Sequence, residues 1–479
     1  MRKILLVVLA CIFIFSVSAC SPAGEAVASE TPETSIVAET PPANTPEEST
    51  VSSRPPVSDD IEAQDICVLK YFDALKTNNA DKIIQISSGS LVGENMKAQT
   101  GSDFLGELYS MTSISNTLKS TWYLIYSILS DFAPETAIRD YSEDTINEFI
   151  QGVDPSRLAE LEVLALGTPR EPLELSSYMQ MDSNTLSQRV CLFSFQDQIF
   201  YQTFWLVNSP GGYKLAAIGD YNDDNIRSYA QAVDRDQFEA LVDPQTIDEP
   251  SQQMLASSAE IGSETTFLQK FKGAAFPAFQ NVEEVIGFFA GSVARGDVYA
   301  ALSTFCIREE VLNNDSYSET KYLGAFMPYR LSLMVSDYDF YQDINLAIKC
   351  SEKAADIISF IGFFSINIDT DSTAEQFFAA LQKSCAAIDS LSVVRCDAIA
   401  KSINEGRETN LRQAAYYGAD DLQHWIVEYN FNSDPYTGAA MVMRYDGWKI
   451  WTLTSVYLDF PQTLCPVVPS GQIDYDSFI

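Results

Sequence analysis

Apolar positions from Ile66 to Leu75 (Ile66-Cys67-Val68-Leu69-Lys70-Tyr71-Phe72-Asp73-Ala74-Leu75) fall on the stripe of an amphipathic helix. Asp59, followed three residues later by Glu62, forms a capping-box pattern at its start. Thr77-Asn78-Asn79-Ala80 breaks the stripe, and Asp81 is the expected cap of a short second helix reaching Ile86. The same grammar returns in the second half. Asn281 with Glu284 repeats the capping pattern, and Val285-Ile286-Gly287-Phe288-Phe289-Ala290 repeats the order of aliphatic and aromatic positions from Val68 to Asp73. Arg295-Gly296-Asp297 then ends one helix and caps the next.

The far ends of the halves also match. Phe204-Trp205-Leu206-Val207-Asn208, a Ser-Pro-Gly turn and Gly212-Tyr213-Lys214-Leu215 predict a hairpin. Its counterpart runs from Met441 to Tyr445, turns at Asp446-Gly447 and returns as Trp448-Lys449-Ile450, with Asp-Gly as the turn signal. Strand-like stretches precede each hairpin: Leu161–Leu166 and Arg189–Phe195 in one half, Val393–Ile399 and Trp425–Phe431 in the other. Each half therefore reads as two helices, a variable middle and antiparallel strands closing on a Gly-aromatic-Lys-aliphatic turn, the pattern of a diverged internal duplication. The first middle, Tyr109 to Phe132, is helical in character. The second contains Ala354 to Ile368, too short to span a bilayer and read as a buried helix, then an amphipathic helix from Ala374 to Ile388.

The resulting organisation is a leader at 1–19, a tether at 20–60, a first α+β lobe at 61–245 and a connector at 246–275. A second α+β lobe with a helical insert follows at 276–460, and an extended tail at 461–479. Residues 21–60 are mostly Ser, Thr, Pro, Ala and Glu. They carry too little apolar surface to offset the entropy of ordering them.

Composition narrows the function. A formal charge of −36 repels nucleic acid and anionic head groups. His424 is the lone histidine, so an HExxH zinc hydrolase is excluded and a Ser-His-Asp enzyme would need His424 as its base. Its place at the start of a strand points instead to a structural role. Beyond the leader and Cys20 stand Cys67, Cys191, Cys306, Cys350, Cys385, Cys396 and Cys465, an odd set without a CxxC pair, metal signature or disulfide framework. Asp220-Tyr221-Asn222-Asp223-Asp224 opens like a calcium loop but has Asn225 and Gln231 where Gly and Glu are needed, so it reads as an acidic turn. Asp337, Asp339 and Asp343, and Asp369 with Asp371, read likewise. No metal or cofactor is expected.

The leader carries the strongest address. Arg2 and Lys3, the apolar run Ile4–Val17 and Val17-Ser18-Ala19-Cys20 resemble a secretory signal ending in a bacterial lipobox. That resemblance implies cleavage before Cys20, lipidation of Cys20 and an extracytoplasmic, membrane-tethered chain. The opening Phe72-Asp73-Ala74-Leu75, the polar break to Asp81 and the closing Gly-aromatic-Lys turns resemble bacterial lipoproteins with the nuclear transport factor 2-like fold. The resemblance implies two cone-like lobes, each with N-terminal helices packed on a curved antiparallel sheet. It also implies a non-catalytic binding or interaction module whose partner is a small apolar ligand, an envelope polymer or a protein. Tyr71, Trp205, Tyr213, Phe288, Trp425, Trp448 and Trp451 are the candidate ligand-binding residues, and no catalytic residue is assigned. One alternative is a transporter's solute-binding lipoprotein, which requires βαβ units. The other is an isomerase- or dehydratase-like enzyme using carboxylates in the cone.

Overall fold

The computed structural model describes residues 61–129, 152–171, 186–222, 225–227, 230–260, 262–312, 337–366, 374–457 and 466–479. The leader, Cys20, the tether, the Asp59 cap position, Asp369, Asp371 and Cys465 lie outside the described residues.

The first lobe opens with α1 (Ile61–Lys76), α2 (Ala80–Ile86), α3 (Gly89–Thr100) and the long α4 (Asp103–Leu129). Its sheet is the meander β1 (Glu162–Gly167), β2 (Leu186–Phe195), β3 (Gln198–Ser209) and β4 (Gly212–Ile218), with the short β5 (Gln231–Ala232) on β3. Helices α5 (Arg235–Leu241), α6 (Gln252–Ala259) and α7 (Phe267–Gly273) lead to the second lobe. That lobe begins with α8 (Val282–Ala294), α9 (Val298–Leu302) and α10 (Ile307–Leu312), followed by α11 (Asp339–Phe363) and α12 (Ala374–Cys385). Next come β6 (Ser392–Ala398), α13 (Ala400–Asn404) and α14 (Arg407–Tyr416). β7 (Asp421–Phe431), β8 (Asp434–Arg444) and β9 (Trp448–Thr452) complete a second antiparallel meander, and β10 (Val467–Pro469) pairs with β8. The chain is thus a two-lobed α+β protein.

The two sheets match position by position. In both lobes the first and second strands shift register at one place, between Val163 and Ala165 and between Val393 and Arg395. The third and fourth strands do so between Trp205 and Leu206 and between Met441 and Val442. Such bulges bend and twist a strand locally, so both sheets are bent at matching points. The accessory strands also match, with Phe200 opposite Ala232 and Tyr436 opposite Pro469. A stretch within the predicted tail therefore supplies a strand of the sheet.

At the helix break, Asn78 and Gly296 both adopt positive φ, 51° and 68°, and the next residue caps the second helix. Asn79 accepts from the Lys82 amide and Asp297 from the Ala300 amide. The cap is thus Asn79 rather than Asp81, because the left-handed residue Asn78 starts the new helix two positions earlier. Asp81 instead accepts hydrogen bonds from Thr266 and Gln269 at the start of α7. At Asn281 the cap forms with the Glu284 amide (2.8 Å), while the Glu284 carboxylate returns to the Gln280 amide (3.0 Å).

The lobes share one core. Helix α11, longer than the sequence predicted, lies along α4. Trp122 packs against Tyr341 in a tilted pair with ring centroids 4.5 Å apart, Ser351 donates to the Met111 carbonyl, and Tyr341 donates to the Val153 carbonyl at 2.6 Å. The connector is fastened too: the buried Lys82 ammonium bridges Asp73 (2.6 Å) and the Ser258 carbonyl (2.5 Å). Among the described residues no helix is long and apolar enough to cross a membrane.

Candidate functional site

The repeated Gly-aromatic-Lys turn has a structural purpose. Lys214 donates to the Gln85 carbonyl at 2.6 Å, and Lys449 to the Ser303 carbonyl at 2.9 Å and the Pro277 carbonyl at 3.3 Å. Each lysine thereby satisfies a carbonyl left open where the second helix of its lobe ends, Gln85 and Ser303, and Lys449 also reaches Pro277 ahead of α8. The backbone follows suit: the Ser88 amide donates to the Leu215 carbonyl, and the Cys306 amide to the Ile450 carbonyl.

Three groups of titratable side chains have the burial that reactive sites need, and each is occupied by structural partners. Arg189 and Asp65 form a fully buried bidentate pair (2.6 and 2.8 Å) tying α1 to the sheet. Burial raises Asp65 to about 6 against the pull of Arg189, and the neighbouring Asp248 pushes the same way. Between the lobes, Lys349 bridges Glu310 (2.8 Å) and Glu352 (3.2 Å), and Lys119 reaches Glu352 from α4 (3.4 Å). Lys353 pairs with Asp356 (3.3 Å) and donates to the Trp451 carbonyl (2.6 Å). Burial disfavours the Glu352 carboxylate, but Lys349, Lys119 and Lys353 outweigh it and bring the group down to about 2. His424 lies in the wall of the second lobe, its Nδ1 2.8 Å from Ser455 Oγ and its ring 4.7 Å from that of Tyr457. Burial lowers it to about 4, so it is neutral at pH 7.

The candidate aromatic residues are dispersed rather than gathered into one groove. Tyr71 is a core residue donating to Thr121 (3.1 Å), and Trp205, packed with Ala216 and Ala217, donates to the Gly219 carbonyl (3.0 Å). Tyr213 is half-buried and accepts from Gln64 (3.4 Å). Trp451 is buried in a separate cluster against Tyr417, and the half-buried Trp425 donates to Gln423 (3.1 Å). Only Phe288 and Trp448 meet a common partner, Phe279: Phe288 by its ring at 5.3 Å, Trp448 through its backbone amide at 2.9 Å. The six described cysteines are free, and burial pushes Cys67 and Cys396 to about 12 and Cys385 to about 11. No cluster of three potential metal ligands occurs among the described residues.

The residues that sequence reasoning missed lie at the sheet edges. In the first lobe, residues 242–248 form a strap along β1. The Leu166 amide donates to the Asp248 carbonyl (2.8 Å), and the Asp248 amide to the Leu166 carbonyl (2.9 Å). The Asp243 amide donates to the Thr168 carbonyl (2.9 Å), and the Thr168 amide to Thr246 Oγ1 (2.9 Å). Arg189 locks the strap by reaching Thr168 Oγ1 (2.9 Å) and the Thr246 carbonyl (3.4 Å). Gly167 is required beneath it, since a Cβ there would lie 2.8 Å from Val242.

The matching strand order and register place β6 at the equivalent edge. The strap's first contact survives, as the Arg170 amide to Leu241 carbonyl bond becomes the Ala400 amide to Phe478 carbonyl bond. Beyond it no further backbone bond reaches this edge among the described residues, and Cys396 itself is 9 % exposed. The Ile399 amide donates inward to the His424 carbonyl (2.8 Å), and Asp397 pairs with Ile426. Antiparallel alternation then turns the N–H and C=O of Cys396 and Ala398 outward, where they have no backbone partner among the described residues. Half-buried Leu164 is replaced by Val394, 58 % exposed, and Arg189 by Trp425.

These features define a two-lobed α+β protein with two matching antiparallel meanders, of which the first has a strapped edge and the second an edge with no such strap among the described residues. No family model and no curated protein matches the chain. Among solved structures it is similar to a cystatin-like protein from Ruminococcus gnavus, with 15 % identity and a TM-score of 0.44 over 87 % of this chain and 94 % of that one.

Proposed function

We propose that the chain is an extracytoplasmic lipoprotein anchored through Cys20, whose two nuclear transport factor 2-like lobes form a non-catalytic interaction module held off the membrane by the 20–60 tether. The observation that carries the interaction reading is the asymmetry of the duplicated edges. The first lobe covers its own edge strand, while the second presents outward backbone groups beside exposed Val394. An uncovered edge is a template for another strand, and recognition by strand addition uses such a template. The occupied state of Asp65, Glu352 and His424 supports a binding role over proton-transfer chemistry. The two antiparallel meanders favour it over a transporter's solute-binding protein, which is built on parallel βαβ units.

Two experiments test this reading. Labelled palmitate should be incorporated by the native chain and not by Cys20→Ser; absence of label from both sinks the anchor. Native mass spectrometry of protein purified gently from its host should show a retained partner or ligand mass. Rapid turnover of a small ketone or steroid-like substrate, abolished in Asp65→Asn, would replace the module reading with an enzymatic one.

A further inference from the structure

We propose that the open β6 edge is where a second copy of this chain binds, strand against strand, about a two-fold axis through Cys396. The inference rests on the reading of that edge as the interaction surface and names its occupant.

Register follows from the backbone. The outward groups of Cys396 exchange both hydrogen bonds with those of its counterpart, as Leu166 and Asp248 do within the first lobe. Ala398 then faces Val394 of the second copy, covering an aliphatic side chain at the position where the first lobe packs Leu164 against the same apolar cluster as Ile247. The same register sets Arg395 opposite the second copy's Asp397, twice by symmetry, in the closely spaced pair type with Cα atoms roughly 4.5 Å apart.

Both side chains have a place to act from. Arg395 is part-exposed, bonded to Glu428 (2.8 Å) and Asp476 (2.9 Å) and lying 3.7 Å over the Tyr475 ring, while Asp397 accepts from Tyr475 (2.9 Å). Arg395 stands where the first lobe has buried Ala165. A charge in an edge strand deters non-specific pairing; with Asp397 two residues on, it admits the one partner whose strand offers the complementary order. Two-fold pairing consumes both edges and so stops at a dimer. A five-residue strand contact is smaller than a standard interface, so association in solution is weak, and holding chains on one surface raises their effective concentration.

The test is amide hydrogen exchange on the full mature chain across a concentration series from about 0.1 to 100 µM, with sedimentation velocity alongside. Self-pairing predicts a dimer at the upper end and exchange at Cys396 and Ala398 slowed on the order of tenfold there relative to the dilute sample. Arg395→Glu should abolish the dimer, and adding Asp397→Arg should restore it. A dimer that leaves these amides unprotected, or a monomer throughout with fast exchange, overturns the self-pairing while leaving the edge open for another partner. Protection at every concentration in a monomer overturns both, because the chain then covers the edge itself.

Discussion

The lone histidine gives the buried chemistry of the second lobe a clean handle. His424 is 1 % exposed and its pKa falls from 6.5 to about 4 through burial. Between those values the unfolded chain holds a proton that the folded chain rejects, so the contribution of His424 to stability rises with pH and is lost as pH falls from 6.5 toward 4. At about 1.4 kcal/mol per pH unit, the loss between pH 7.5 and 4.5 is about 2.5 kcal/mol. Asp65 works in the opposite sense: its folded value of about 6 lies above 3.8, so the folded state gains a proton first and its contribution falls as pH rises through that window. The comparison must therefore be with a variant. In urea titrations followed by tryptophan fluorescence, the stability of wild type minus that of His424→Gln should drop by about 2.5 kcal/mol from pH 7.5 to 4.5. A difference constant within about 0.5 kcal/mol would show that His424 is solvated, refuting its burial beside Ser455.

Other perturbations probe the remaining structure. Lys449→Met should cost about 2–4 kcal/mol, and Lys214→Met less, because Lys449 serves two carbonyls and Lys214 one; thermal melts of the pair check the order. Glu352→Gln removes the anion shared by Lys119 and Lys349 and should destabilise by about 3–5 kcal/mol in denaturant titration. Gly93→Ala would place a Cβ 2.6 Å from the Gly106 carbonyl oxygen where α3 meets α4. The crowding, about 1–3 kcal/mol, exceeds alanine's helix preference of about 1 kcal/mol, so the melting temperature should fall. The six described thiols should resist Ellman's reagent at pH 8 until the chain is unfolded, with Cys385, the most accessible, the first to react.

What the sequence made legible was local. Helix stripes, the Asp446-Gly447 turn and the Asn281 cap depend on residues a few positions apart, and each forms where the pattern put it. Even there the cap at Asn79 was hidden, because two capping residues stand within three positions and only the positive φ of Asn78 chooses between them. The buried pairs were not legible. Arg189 meets Asp65 across 124 residues and Lys119 meets Glu352 across 233, and nothing in spacing or composition links them. The aromatic candidates are dispersed for a related reason: successive strand positions face opposite sides of a sheet, so Trp448 joins the main core and Trp451 a separate cluster.

The differences between the two lobes are coordinated rather than piecemeal. In the first lobe the strap, Arg189, Asp65 and Thr168 form one connected set, in which a buried cation is satisfied only while the Thr246 carbonyl, Thr168 Oγ1 and the Asp65 carboxylate are all present. Withdrawing the strap alone would strip Arg189 of one of these partners and open its burial site to water. The second lobe changes every member together. Trp425 stands for Arg189, exposed Glu283 for Asp65 and Ala398 for Thr168, so the ion pair of the first lobe has no counterpart at this place. A half-buried indole bonded to Gln423 needs no strap. Among the described residues the second lobe thus holds its edge strand without a strap or a buried pair to lock one.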